Sequence, residues 1–259
     1  LFERENKHLP SSHKTAFGKK LTGAKWFIIS DLDGTLIDGE HSDGLRELKK
    51  WVDEQKEDIV FGVASGRNRK LTEEAFAHHG LPQPDILICS AGTEIYYTDE
   101  FIADNGWESH IDYQWKRNEL LKQLARFPKI RLQEENAQWP YKLSYYVDND
   151  FNNDDLASLH KFLDDAKLRT KVLLTENRYL DILPFRAGKG NAVRYLSYKW
   201  KHPLDFIITA GNSGNDIDML KGKTKGIVVA NYSPELEVLK KNRNIYFAKK
   251  IWLRVYSKV

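Results

Sequence analysis

Hydrophobic and polar positions along this chain follow two rhythms. Trp26-Phe27-Ile28-Ile29-Ser30 is a continuous apolar run that reads as a strand buried on both faces, and it leads into Asp31-Leu32-Asp33-Gly34-Thr35. Leu45, Leu48, Trp51 and Val52 recur at helical spacing, Ile59 to Ala64 predicts a second strand, and Ser65-Gly66-Arg67 follows as a polar turn. Leu71, Ala75 and Phe76 mark a helix before Gly80, and Asp85 to Cys89 a third strand. Continuous apolar strands separated by amphipathic helices predict a parallel sheet covered on both faces. Such a sheet takes its ligands beyond the carboxyl ends of the strands, where the turns at Asp31, Ser65 and Ser90-Ala91-Gly92 fall.

Between about Asp104 and Asp181 the rhythm changes. A helix (Tyr113 to Phe127) is followed by two strand-like runs, Ile130 to Gln133 and Lys142 to Val147. Helix Asp155 to Ala166 and strands Lys171 to Thr175 and Tyr179 to Leu183 repeat the unit, with Glu176-Asn177 as a tight turn. Helix, strand, strand, stated twice, predicts an inserted α+β domain with an antiparallel sheet. The first rhythm then resumes with helix Lys189 to Trp200, strand Phe206 to Ala210, short helix Ile217 to Leu220 and strand Gly226 to Val229. The expected division is a linker over 1–24, a discontinuous α/β core over 25–103 and 184–259, and an insert over 104–183.

Composition narrows the function classes. The chain has 259 residues, 41% of them hydrophobic, which is enough for a packed core. Its 40 basic and 37 acidic residues give a net charge of +3 with both signs interleaved, so no nucleic-acid partner is expected. The apolar runs are far shorter than the ~20 residues of a bilayer span, and no membrane association is expected. Cys89 is the only cysteine, which favours a reducing, cytoplasmic setting and a buried thiol. The first residue is Leu1, and the polar stretch from Glu3 to Lys20 shows neither a signal-peptide core nor a helical stripe. It reads as a linker, and the start without methionine as that of a fragment.

Asp31 and Asp33 flank one residue directly after a buried strand, a pair that suits a hard cation or, equally, a solvated loop or helix cap. Ser65-Gly66-Arg67, Lys189 in Gly188-Lys189-Gly190-Asn191, and Gly211-Asn212-Ser213-Gly214-Asn215-Asp216 follow at other strand ends. Together they supply what a phosphoryl group needs: hydroxyl and amide donors, a fixed cation and acidic metal ligands.

In this order the four segments resemble the motifs of the haloacid dehalogenase superfamily of phosphohydrolases. The insert resembles its large α/β cap, so the implied fold is a Rossmann-like core with a parallel sheet plus an α+β cap with an antiparallel sheet. Four further strings resemble sucrose-phosphatases and the phosphatase-like domains of sucrose-phosphate synthases. They are Gly92-Thr93-Glu94-Ile95-Tyr96, Tyr141-Lys142-Leu143-Ser144-Tyr145, Asp181-Ile182-Leu183-Pro184 leading to Lys189-Gly190-Asn191-Ala192, and Val229-Ala230-Asn231-Tyr232-Ser233-Pro234-Glu235-Leu236.

The resemblance implies a magnesium-dependent hydrolysis of sucrose 6-phosphate or a related sugar phosphate. Asp31 would be the nucleophile, Asp33 the acid and base, and Ser65, the Gly66 amide and Lys189 the holders of the phosphoryl oxygens. Magnesium would rest on the Asp31 carboxylate, the Asp33 carbonyl and the fourth motif, through Asn212 and Asp216. Sucrose-phosphatases typically read Gly-Asp-Ser-Gly-Asn-Asp there, with the first aspartate a metal ligand; this chain has Asn212. That departure keeps a second reading open, a phosphatase-like module that binds the phosphorylated sugar, or a sucrose-phosphate synthase domain or partner, without turnover. In the cap, Lys142 and Tyr145 lie an odd number of residues apart on a strand, so only one faces the substrate. Lys142 is the expected sugar reader, and Trp139 either stacks on a sugar ring or fills the cap core.

Overall fold

The computed structural model describes residues 11–37, 43–98 and 102–249. Helix α1 (Ser11–Gly23) precedes β1 (Trp26–Asp31), α2 (Asp43–Gln55), β2 (Ile59–Ala64), α3 (Arg69–His79) and β3 (Ile86–Cys89). The chain then turns back through β4 (Glu94–Tyr97) and β5 (Ile102–Ala103) before α4 (Asn105–Ile111) and α5 (Arg117–Leu124). Next come β6 (Ile130–Leu132), β7 (Leu143–Val147), α6 (Asn153–Asp165), β8 (Thr170–Thr175) and β9 (Tyr179–Pro184). The last run is α7 (Lys189–Lys199), β10 (Ile207–Gly211), α8 (Ile217–Leu220), β11 (Lys225–Val228) and β12 (Ile245–Phe247).

Eight of these strands form one sheet in the order β12-β11-β10-β1-β2-β3-β4-β5. Pairing is parallel from β12 to β3, and antiparallel where β4 meets β3 and β5. Phe27 and Ile29 of β1 pack in one apolar cluster and Ile28 in another, so period-two alternation buries both faces of the sheet, as the unbroken apolar run predicts. A second sheet, ordered β6-β7-β9-β8, is antiparallel throughout and covers its own cluster around Leu143, Tyr145, Leu159 and Leu180. The β8–β9 hairpin turns at Glu176 and Asn177, whose φ values of 55° and 48° are those of a tight turn matched to strand twist.

Several expectations need correction. Helix α1 occupies part of the stretch read as a linker, while residues 1–10 of that stretch lie outside the described residues, as do 250–259 at the end of the core segment. Phe17, Leu21 and Ala24 make a stripe toward the sheet, with Leu21 fully buried and Phe17 edge-on to Tyr97 at 6.0 Å between ring centroids. Three apolar positions among lysines and small residues are too few to stand out as a period. The helix expected from Tyr113 to Phe127 is limited to α5, because Gln114 adopts a left-handed φ of 61° that no helix admits. Cys89 is fully buried, and burial pushes its thiol up. Among the described residues no helix is long and apolar enough to cross a membrane.

Candidate active site

Strands β10, β1 and β2 are neighbours, so the turns that follow them converge at one edge of the sheet. Asp31 ends β1, Ser65 directly follows β2, and the loop from Asn212 follows β10. Lys189 enters the same place as the first residue of α7. Its Nζ donates to Asp31 Oδ1 at 2.6 Å and to Asp216 Oδ1 at 2.7 Å. All three side chains are shut off from solvent, at 1%, 6% and 0% exposure. One lysine thus serves two buried carboxylates, leaving an excess negative charge. Burial and the Asp216 carboxylate raise Asp31 to about 7 against the pull of Lys189. Burial also opposes the Lys189 charge, but the two carboxylates outweigh it and hold the ammonium above its ordinary range.

Asp216 is locked by its other oxygen, which accepts from the Asn212 and Ser213 amides at 3.0 and 3.1 Å. Asp33, by contrast, faces outward. Arg67 grips both its oxygens, Nε to Oδ2 at 2.9 Å and Nη2 to Oδ1 at 2.6 Å. The sequence places Arg67 only in the polar turn after Gly66 and gives it no role of its own; only side-chain reach across two loops reveals the pairing. Ser65 is buried, its Oγ accepting from the Arg67 amide at 3.1 Å. From the second sheet, Lys142 sits one residue before β7 and reaches the Gly66 carbonyl at 3.5 Å and Asp181 Oδ2 at 3.8 Å. Tyr145 is buried in the core of that sheet, on the opposite face, and Trp139 is half-buried. The structure therefore brings Asp31, Lys189 and Asp216 into direct contact, with Asn212, Ser65, Gly66, Asp33 and Lys142 around them.

The donor set can be weighed against a divalent cation. Gly34, at φ 76°, turns the chain so that a Cβ there would lie 2.2 Å from Asn212 Nδ2, so the fourth-motif loop rests against the Asp33-Gly34-Thr35 turn. Asn212 Oδ1 accepts from Thr35 Oγ1 at 3.4 Å. Among the described residues no group of three or more His, Cys, Asp or Glu side chains is placed to hold a metal ion. The Asp31 carboxylate and the Asn212 amide oxygen both stand at the Thr35 hydroxyl and are oxygens of the kind a hard cation takes, with one carboxylate fewer than an aspartate at 212 would provide. Asn212→Asp is therefore expected to lower the magnesium concentration needed for half-maximal phosphate release. A titration of activity against magnesium that left this midpoint unchanged would remove Asn212 from the metal site.

The family model for sucrose-6F-phosphate phosphohydrolase matches residues 24–254. The chain belongs to this family. Sucrose-phosphatase 1 and sucrose-phosphatase 2 of Nicotiana tabacum are 34% and 33% identical to it over 222 residues, which make up 83% of this chain and 52% of each relative. The chain spans about half the length of these curated relatives. The crystal structure of the sucrose-phosphatase from Synechocystis sp. PCC6803, in complex with sucrose and phosphate, superposes with a TM-score of 0.82 at 26% identity, covering 88% of this chain and 93% of that one. The mainly parallel sheet with its separate antiparallel sheet is thus the haloacid dehalogenase-like fold of the sucrose-6F-phosphate phosphohydrolase family.

Proposed function

We propose that this chain is a magnesium-dependent phosphohydrolase that cleaves sucrose 6-phosphate to sucrose and phosphate through an aspartyl-phosphate on Asp31. The observation that carries the proposal is the buried Asp31–Lys189–Asp216 cluster at the strand ends, in a chain of this family. Asp31 offers a carboxylate oxygen to the phosphorus, and Lys189 neutralises charge on both the nucleophile and the phosphoryl oxygens. Bound magnesium would supply the positive charge that balances Asp31 and draws in the phosphate. Its holders would be the Asp31 carboxylate, the Asp33 carbonyl and the loop with Asn212 and Asp216. The Ser65 hydroxyl and the Gly66 amide take further phosphoryl oxygens. Asp33 gives a proton to the leaving sugar oxygen and then takes one from the attacking water, which requires the Arg67 fork to let go of it. A phosphate presents that fork with the same two-oxygen geometry as the carboxylate.

The second sheet serves as the cap, as an insert over 104–183. Lys142 overhangs Gly66 with Asp181 and is a donor for the hydroxyls of the sugar. Removing a donor that reads a buried hydroxyl costs ~1–3 kcal/mol, so Lys142→Ala is expected to lower kcat/KM for sucrose 6-phosphate about tenfold to a hundredfold. Hydrolysis of p-nitrophenyl phosphate, which has no sugar, is expected to change little. Equal losses on both substrates would give Lys142 a part in the fold or in closure instead. Asn212 favours a second reading, a phosphatase-like domain that binds the phosphorylated sugar, alone or within a sucrose-phosphate synthase, without hydrolysing it. Phosphate binding without release would select that reading.

A further inference from the structure

The turn Ser90-Ala91-Gly92 lies between two parts of the site and contributes no side chain to it. Its backbone is left-handed at three successive residues, with φ values of 51°, 58° and 90°. For serine and alanine this conformation is strained, and it persists only where the surroundings hold it. Those surroundings include the loop after β2: the Ser90 amide donates to the Arg67 carbonyl at 2.7 Å and the Ala91 amide to the Ser65 carbonyl at 3.0 Å. Ser90 Oγ is fixed on Glu94 Oε2 at 2.7 Å. On its other side the turn meets the start of α7. The Gly188 amide donates to the Gly92 carbonyl at 3.3 Å, and a Cβ on Gly92 would stand 2.2 Å from Gly188 C and 2.3 Å from Lys189 N.

Lys189 has no slack on its remaining sides. A Cβ on Gly188 would meet Lys171 Nζ of β8 at 2.6 Å, and one on Gly190 would meet the Asp218 carbonyl oxygen at 2.2 Å. The segment Gly188-Lys189-Gly190 is threaded between the Gly92 backbone, the Lys171 side chain and the Asp218 backbone. Two of these three walls are main chain and cannot rotate away.

We propose that the Ser90-Ala91-Gly92 turn sets the position of Lys189 relative to the Ser65 loop, with Gly92 as a positioning residue for the phosphoryl-binding lysine. This rests on the reading of Lys189 given above. A side chain at 92 would push the α7 entry away from the turn and draw Nζ off Asp31, while the rest of the sheet keeps its pairing.

The test is a double-mutant cycle on inorganic phosphate binding with magnesium, read by calorimetry in the wild-type chain, Gly92→Ala, Lys189→Gln and the double variant. Gly92→Ala is expected to weaken binding at least ~10-fold, and the double variant to bind within about twofold of Lys189→Gln, because the two changes act through one group. A Gly92→Ala loss that persists in full on the Lys189→Gln background, or no loss at all, overturns the proposal. A crystal structure of Gly92→Ala is the second arm: Nζ beyond hydrogen-bond distance of Asp31 supports the proposal, and Nζ unmoved contradicts it. That arm decides even if the wild-type chain binds no phosphate, an outcome that would count against the proposed function instead. Should Gly92→Ala not fold, Ser90→Ala, which keeps the backbone and removes the bond to Glu94, takes its place in the cycle. A smaller loss, again masked by Lys189→Gln, is expected of it, and an additive or absent loss overturns the proposal.

Discussion

Asp31→Asn is expected to keep the fold and lower phosphate release by at least ~10³-fold, because an amide cannot form the acyl-phosphate on which the two-step route depends. The fold has a reason to survive. In the wild-type chain Asp31 and Asp216 share one lysine, and Asp31 is raised to about 7 chiefly by burial and then by Asp216. A carboxyl whose pKa is higher folded than unfolded binds its proton better in the folded state. Ionising it therefore costs stability progressively from about pH 4 and in full above about pH 7. With metal chelated, the wild-type chain is expected to lose stability across that window, and the asparagine variant to lose less, since Lys189 and Asp216 then form a balanced pair. Urea unfolding at several pH values checks the sign. Retention of more than about a tenth of the activity would remove Asp31 as the nucleophile.

Lys189→Met should damage the chain in the opposite way. Nearly isosteric in its stem, methionine leaves Asp31 and Asp216 together in the interior with no cation between them. Breaking such a buried pair by deleting one partner costs about 3–5 kcal/mol, most of it from the charge left behind. The loss is expected at neutral pH with metal chelated. It should shrink as pH falls through and below about 7, because Asp31, raised already and raised further without the lysine, takes up a proton there and sheds the charge that the lysine balanced. Phosphate release should fall as well, since nothing else in the cluster is positive. A change below about 1 kcal/mol at neutral pH would mean that the site opens to water and that Lys189 is not its internal counter-ion.

The parts of this molecule legible in sequence are those where one local signal dominates. Trp26 to Ser30 and Ile59 to Ala64 read as doubly buried strands because every position is apolar or small, and the structure buries nearly all of them. Strands β4, β5 and β12 escape such a reading, because four, two and three residues are too few to show a period. Their pairing, antiparallel for the first two, is a property of the whole sheet. Helix α4 escapes it for a different reason: only Trp107 and Ile111 point inward, and its start is set by Asp104 accepting from the Trp107 amide.

The site divides in the same manner. Asp31 and Lys189 stand 158 positions apart, and only their place in motifs after buried strands links them before the fold is known. Motif order carries no information about reach. The Arg67 fork on Asp33 depends on where two loops bring two long side chains, and the Gly92 contact with Gly188 on the absence of a Cβ at a close backbone approach. Lys142 is intermediate: alternation with Tyr145 tells that the two take opposite faces, but only the packing of the second sheet shows that the Lys142 face looks onto Gly66.

The most direct measurement is phosphate release by the wild-type chain from sucrose 6-phosphate, compared with glucose 6-phosphate, fructose 6-phosphate and p-nitrophenyl phosphate, each with magnesium and with chelator. The account predicts release that requires magnesium and a kcat/KM for sucrose 6-phosphate at least ~10-fold above that for either monosaccharide phosphate, the margin a hydroxyl-reading cap would give. No release from sucrose 6-phosphate at any magnesium concentration, or the same rate for all four esters, would contradict it.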